Sequence, residues 1–79
     1  MSITVSCQVY RASRQEEMYV YIRDDLKPES LPKELITLVK ELTPVMGLEL
    51  STERKLARED VEIVIENLNN KGYHLQMPP

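Results

Sequence analysis

Two neighbouring stretches near the N-terminus alternate apolar and polar residues. In Ile3 to Tyr10, Ile3, Val5, Cys7 and Val9 interleave with Thr4, Ser6, Gln8 and Tyr10. In Met18 to Arg23, Met18, Val20 and Ile22 interleave with Tyr19, Tyr21 and Arg23. A period of two is the pattern of a strand with one buried face. The polar link Arg11 to Glu17 between them predicts an antiparallel hairpin. The aliphatic side chains of both strands are expected on one face, with Tyr10, Tyr19 and Tyr21 together on the other. The rest of the chain then serves to cover the aliphatic face.

Seventy-nine residues make a single domain over 1–79, close to the smallest size that folds without staples. One cysteine excludes an intrachain disulfide, so packing alone must build the core. Cys7 falls on the aliphatic side of its strand and reads as a small buried hydrophobe. One cysteine and one histidine do not fill a structural zinc site, and no metal or cofactor is expected. The net charge of −3 argues against strong non-specific binding to nucleic acid or anionic membranes, though not against a local basic patch. No apolar run nears the roughly 18 residues that span a bilayer, and the N-terminus lacks a signal-peptide layout. The expected setting is a reducing cytoplasm.

Beyond the hairpin, Asp24-Asp25-Leu26-Lys27-Pro28-Glu29-Ser30 reads as a solvated turn. A first helix starts near Ser30 to Pro32, with Ser30 as N-cap, and ends at Thr43-Pro44. Its apolar stripe is Leu31, Leu35, Leu38, Val39 and Leu42. Val45 to Leu50 follows as a third strand, with Met46, Leu48 and Leu50 on one side. Arg54 to Ala57 fits either a short strand or a lead-in to the next helix. The second helix spans about Glu59 to Lys71, with the stripe Val61, Val64, Ile65 and Leu68 and carboxylates in its first turn. Gly72 supplies its stop. Tyr73 to Met77 is a last strand, closed by Pro78-Pro79. The order is β-β-α-β-α-β, an α+β fold packed as a compact α/β sandwich. A flexible tail beyond residue 79 is a further expectation.

Four segments resemble the YcgL domain family of gamma-proteobacteria. They are Cys7 to Ser13, Met18 to Ile22, Arg54 to Val61 and, most specifically, the closing Gly72-Tyr73-His74-Leu75-Gln76-Met77-Pro78-Pro79. The resemblance runs from Cys7 to Pro79. It implies a small cytoplasmic protein of unassigned function with an α/β/α sandwich fold, in which both sheet faces are covered. Many members carry an acidic tail after the double proline, and an association with ribonuclease D-like exonucleases is part of what the resemblance implies. It supplies no catalytic or ligand residues to carry over.

No catalytic device has its spacing here. Gly-rich phosphate loops, nucleophile elbows and His-Glu-x-x-His pairs are missing from the sequence, and His74 is the only histidine. Two candidate binding regions remain. One is the second sheet face, with Tyr10, Arg11, Tyr19 and Tyr21, joined by His74 and Gln76 if the last strand pairs in suitable register. The other is the basic cluster Arg54, Lys55 and Arg58 ahead of the second helix. The expected function is a non-enzymatic protein-interaction module with a protein partner. The alternative is an RNA-associated accessory domain, since aromatic and arginine side chains on an open sheet suit single-stranded nucleic acid.

Overall fold

The computed structural model of the chain describes residues 4–53, 56 and 59–78. Its elements are β1 (Thr4–Ala12), β2 (Tyr19–Arg23), a short 3-10 turn at Pro28–Ser30, α1 (Lys33–Val39), β3 (Leu42–Ser51), α2 (Val61–Asn70) and β4 (Tyr73–Gln76). The strands form one sheet in the order β3-β1-β2-β4, and every pairing is antiparallel. The expected α+β order is therefore the observed one.

Register decides which side chains share a face. Cys7 lies opposite Arg23, Val9 opposite Tyr21 and Arg11 opposite Tyr19. Directly opposed residues point to the same side. The aliphatic residues of β1 thus stand beside the tyrosines of β2. Val20 and Ile22 join Tyr10 and Gln8 on the other face. The expectation of one aliphatic and one tyrosine face is corrected here: each face takes its aliphatics from one strand and its aromatic partners from the other.

Both faces consequently need cover, and each has a helix. On one side Val5, Cys7, Val9, Tyr21 and Leu50 pack against Val61, Val64, Ile65 and Leu68 of α2. On the other, Ala12, Met18, Val20 and Ile22 pack against Leu31, Leu35 and Val39 of the α1 segment, with Tyr10, Leu42, Tyr73 and Leu75 at the margin. This is the α/β/α sandwich. Cys7 is fully buried, and desolvation together with the Asp24 carboxylate pushes its thiol up to about 11.

The helix ends follow local chemistry. Asp60 caps α2, its carboxylate accepting from the Glu62 N–H at 2.9 Å. Gly72, with φ of 89°, closes the same helix by donating to the Leu68 carbonyl at 3.0 Å. α1 is shorter than the sequence pattern implies. Lys40 takes a positive φ of 62° and ends it after Val39, so Leu42 belongs to β3. Ser30 is not its N-cap. The Ser30 hydroxyl instead donates to the Lys27 carbonyl at 2.6 Å within the 3-10 turn, and Pro32 precedes α1.

Arg23 ties the far end of α2 to the sheet. Its guanidinium donates to the Leu68 carbonyl at 3.0 Å and pairs with both carboxylate oxygens of Asp25. A cation at the last carbonyls complements the helix dipole. Asp25, in the turn expected to be merely solvated, is thus a fixed partner, and the Arg23 hydrogen bonds hold its carboxyl below the ordinary value.

Candidate functional site: an open corner of the sheet

The two helices cover different corners of the sheet. On the α1 side, Thr4, Ser6 and Glu49 are exposed, and Gly47 lies beside Gln8. That corner is polar and needs no cover. On the α2 side the uncovered corner is apolar. It is a shallow depression of about 250 Å³ lined by Val9, Tyr19, Tyr21, Val45, Met46, Leu48 and Gln76.

An irregularity in β3 builds this corner. Met46 lies opposite Val9 and Pro44 opposite Tyr10, so Val45 is an extra residue with no partner on β1. Such a bulge re-aims side chains and is common beside functional sites. Here Val45 and Met46 line the same depression although they are consecutive, and they are 51% and 52% exposed. Two adjacent half-exposed aliphatic residues on a small domain are the kind of surface that marks an interaction site.

The sequence-derived candidates divide around this corner. Arg11, Tyr19, Tyr21, His74 and Gln76 share the α2 side, because Tyr19 lies opposite both Arg11 and Gln76 and Tyr21 opposite His74. Tyr10 does not join them. It lies opposite Val20 and borders a separate groove with Ile36, Val39, Leu42 and Pro44 on the α1 side. The expected set of three clustered tyrosines is corrected to Tyr19 and Tyr21. Arg54, Lys55 and Arg58 lie outside the described residues.

Tyr21, His74 and Gln76 form a buried polar network rather than an open platform. The Tyr21 hydroxyl donates to Gln76 Oε1 at 2.8 Å. The Tyr21 and His74 rings meet edge to face with centroids 5.7 Å apart. His74 is only 8% exposed. Its Nδ1 is 2.9 Å from Asn67 Nδ2, which makes Nδ1 the acceptor and leaves the ring proton on Nε2. Nε2 lies 3.4 Å from Glu59 Oε1 without a formed hydrogen bond. A side chain enclosed in this way positions α2 on β4.

Sequence reasoning missed Val45, Met46 and Leu48 as site residues. They read as ordinary strand residues, and their exposure follows from the bulge and from β3 being an edge. Among the described residues no helix is long and apolar enough to cross a membrane, and no three His, Cys, Asp or Glu side chains cluster as metal ligands.

Comparison with known proteins agrees with this architecture. The family model described as the YcgL domain matches residues 7–79. A YcgL domain-containing protein of Pseudomonas putida (strain GB-1) is 47% identical over 73 residues, covering 92% of this chain and 75% of the relative. Similar proteins of Pseudomonas putida (strain W619) and Pseudomonas savastanoi pv. phaseolicola are 45% and 42% identical over the same extents. With the matched region running from Cys7 in β1 to the closing prolines, the chain belongs to the YcgL domain family.

Proposed function

We propose that this domain is a non-enzymatic protein-interaction module of the cytoplasm, and that the apolar corner beside β3 is its docking surface. The observation that carries this reading is the exposure of Val45 and Met46 on the α2 side, where the covering helix stops short. Burying such apolar surface on a partner supplies the driving force for association. The residues that acid–base or nucleophilic chemistry would call on support the non-enzymatic half. His74 is enclosed by Asn67, Glu59 and Tyr21, and Cys7 is a buried thiol held protonated.

An RNA-associated role draws less support. Stacking needs open aromatic faces. Tyr21 is buried and Tyr10 is on the opposite side, which leaves Tyr19 beside Arg11 as the half-exposed tyrosine of the expected set on the α2 side.

A photo-reactive residue at position 46, and another at position 6 on the polar corner, test the module in bacterial cells. A discrete protein adduct from position 46, absent from position 6 and lost when Val45 is also changed to glutamate, is the expected result. Equal labelling from both positions, or adducts to RNA alone, overturns it.

A further inference from the structure

We propose that Met46 is a modification site, and that a peroxide, by converting its thioether to the sulfoxide, makes the apolar corner polar and releases what is docked there. The inference rests on the docking role of that corner and says how it is switched.

Among the described residues the sulfur side chains are Cys7, Met18, Met46 and Met77. Access decides which of them an oxidant in solution reaches. Cys7 is fully buried and Met18 is 1% exposed, so neither competes. Met46 and Met77 are 52% and 53% exposed. Met77 follows β4 and does not line the depression. Met46 is the one sulfur side chain that does. It is exposed because the bulge at Val45 and the missing cover of α2 fall at the same place on β3.

The step is a two-electron oxygen transfer. The sulfur lone pair attacks one oxygen of hydrogen peroxide, the S–O bond forms and the O–O bond breaks. The proton of the transferred oxygen passes to the departing one, which leaves as water. Sulfur is oxidised and the peroxide reduced. The product carries a polar oxygen where an apolar side chain stood. In the free domain water solvates that oxygen, and the backbone of Met46 keeps its register with Val9, so the fold survives. Under a docked partner the same oxygen is shut in beside Val9, Val45 and Leu48, and a polar group buried without a hydrogen bond opposes association. A thiol-dependent reductase takes the oxygen off again as water, with two thiols joined as a disulfide, so the change is reversible.

The test uses the full chain with Met77→Leu and a photo-reactive phenylalanine analogue in place of Tyr19, which lines the same depression. After treatment with hydrogen peroxide, peptide mass spectrometry should find the sulfoxide at Met46 forming about tenfold or more faster than at Met18. The oxidised protein should keep its Tm to within about 4 °C. Freed of peroxide, added to bacterial lysate and irradiated, it should give about tenfold less of the protein adduct than the untreated protein does. Methionine sulfoxide reductases of both stereospecificities, with dithiothreitol, should restore the yield. With Met46→Leu added, peroxide should cause no such fall. Oxidation of Met46 no faster than of Met18, a larger drop in Tm, a yield that the reductases do not restore, or a fall that persists with Met46→Leu overturns the proposal. If the adduct forms and peroxide leaves it unchanged, the docking reading stands and the switch falls. If the untreated protein gives no adduct, both fall.

Discussion

Val9 and Val20, one position apart across the hairpin, are buried on opposite faces of the sheet and belong to different cores. Each core is small, so each loss is felt. Val9→Ala and Val20→Ala should each destabilise by about 1–3 kcal/mol in urea unfolding. Their side chains share no cluster, so the double variant should equal the sum to within about 0.5 kcal/mol. A coupling well above that would place both valines in one core.

Gly72 carries two constraints at once. Its φ of 89° suits glycine, and a Cβ there would collide with Leu26 Cδ1. Gly72→Ala should cost at least about 1 kcal/mol through the backbone alone. For a domain of this size that lowers Tm by roughly 4–8 °C per kcal/mol. Part of the loss comes from displacing Leu26. In a Leu26→Ala background the same substitution should therefore cost less, as thermal unfolding of the four variants would show.

Lys40 is the converse case. It holds φ of 62° and ψ of −118° at the end of α1, a conformation that glycine adopts freely and lysine does not. Lys40→Gly should stabilise the domain by about 0.5–2 kcal/mol in calorimetry. An unchanged or lowered Tm would show that the lysine is not strained there.

The Cys7 thiol gives an alkaline signature. Its folded value near 11 stands above its ordinary value of 9.0, mainly through desolvation and then through Asp24. The contribution to stability is complete below pH 9 and is lost as pH rises toward 11, because the unfolded thiol ionises first. Wild type should lose stability over that window more steeply than Cys7→Ala. A thiol reagent at pH 8 should label the protein only after denaturant is added.

The Arg23–Asp25 pair gives the opposite sign in acid. Asp25 sits below its ordinary value of 3.8 because Arg23 donates to it. Its contribution is present above about pH 4 and fades as pH falls through the lowered folded value. The difference between wild type and Asp25→Asn should therefore shrink between pH 5 and pH 2. It should also shrink with added salt, since the pair is exposed. Arg23→Lys keeps the charge but loses the fork, and should speed hydrogen exchange in the last turn of α2.

Much of this fold is written locally. The stripe of α2, its acidic first turn and the stop at Gly72 all follow from near neighbours, and each is found in place. Strand facing is not local. It depends on whether opposed residues in β1 and β2 are odd with odd or odd with even, and a slip of one residue inverts the outcome. The alternation of each strand therefore left the pairing of Val9 with Tyr21 undecided. α1 was overestimated because Leu42 continues its helical spacing while the backbone at Lys40 has already turned. For the candidate site, parity within a strand pairs Tyr19 with Tyr21 and His74 with Gln76, while the register that joins these pairs, and that brings in Arg11 in place of Tyr10, is not legible in the letters. Met46 and Val45 were hidden, since a bulge leaves no mark in a run of apolar letters.

That one extra residue at Val45 also changes what a single strand can hold together. Leu50, Leu48 and Leu42 all occupy even positions, and an unbroken strand would send all three to the same side. In this chain Leu48 and Leu50 pack under α2, and Leu42, beyond the bulge, packs with α1. β3 is thus a seam stitched through both layers of the sandwich. Removing Val45 would leave Pro44 opposite Tyr10 and Leu42 opposite Ala12, closing the ladder into a regular strand with Leu42 still in its own core.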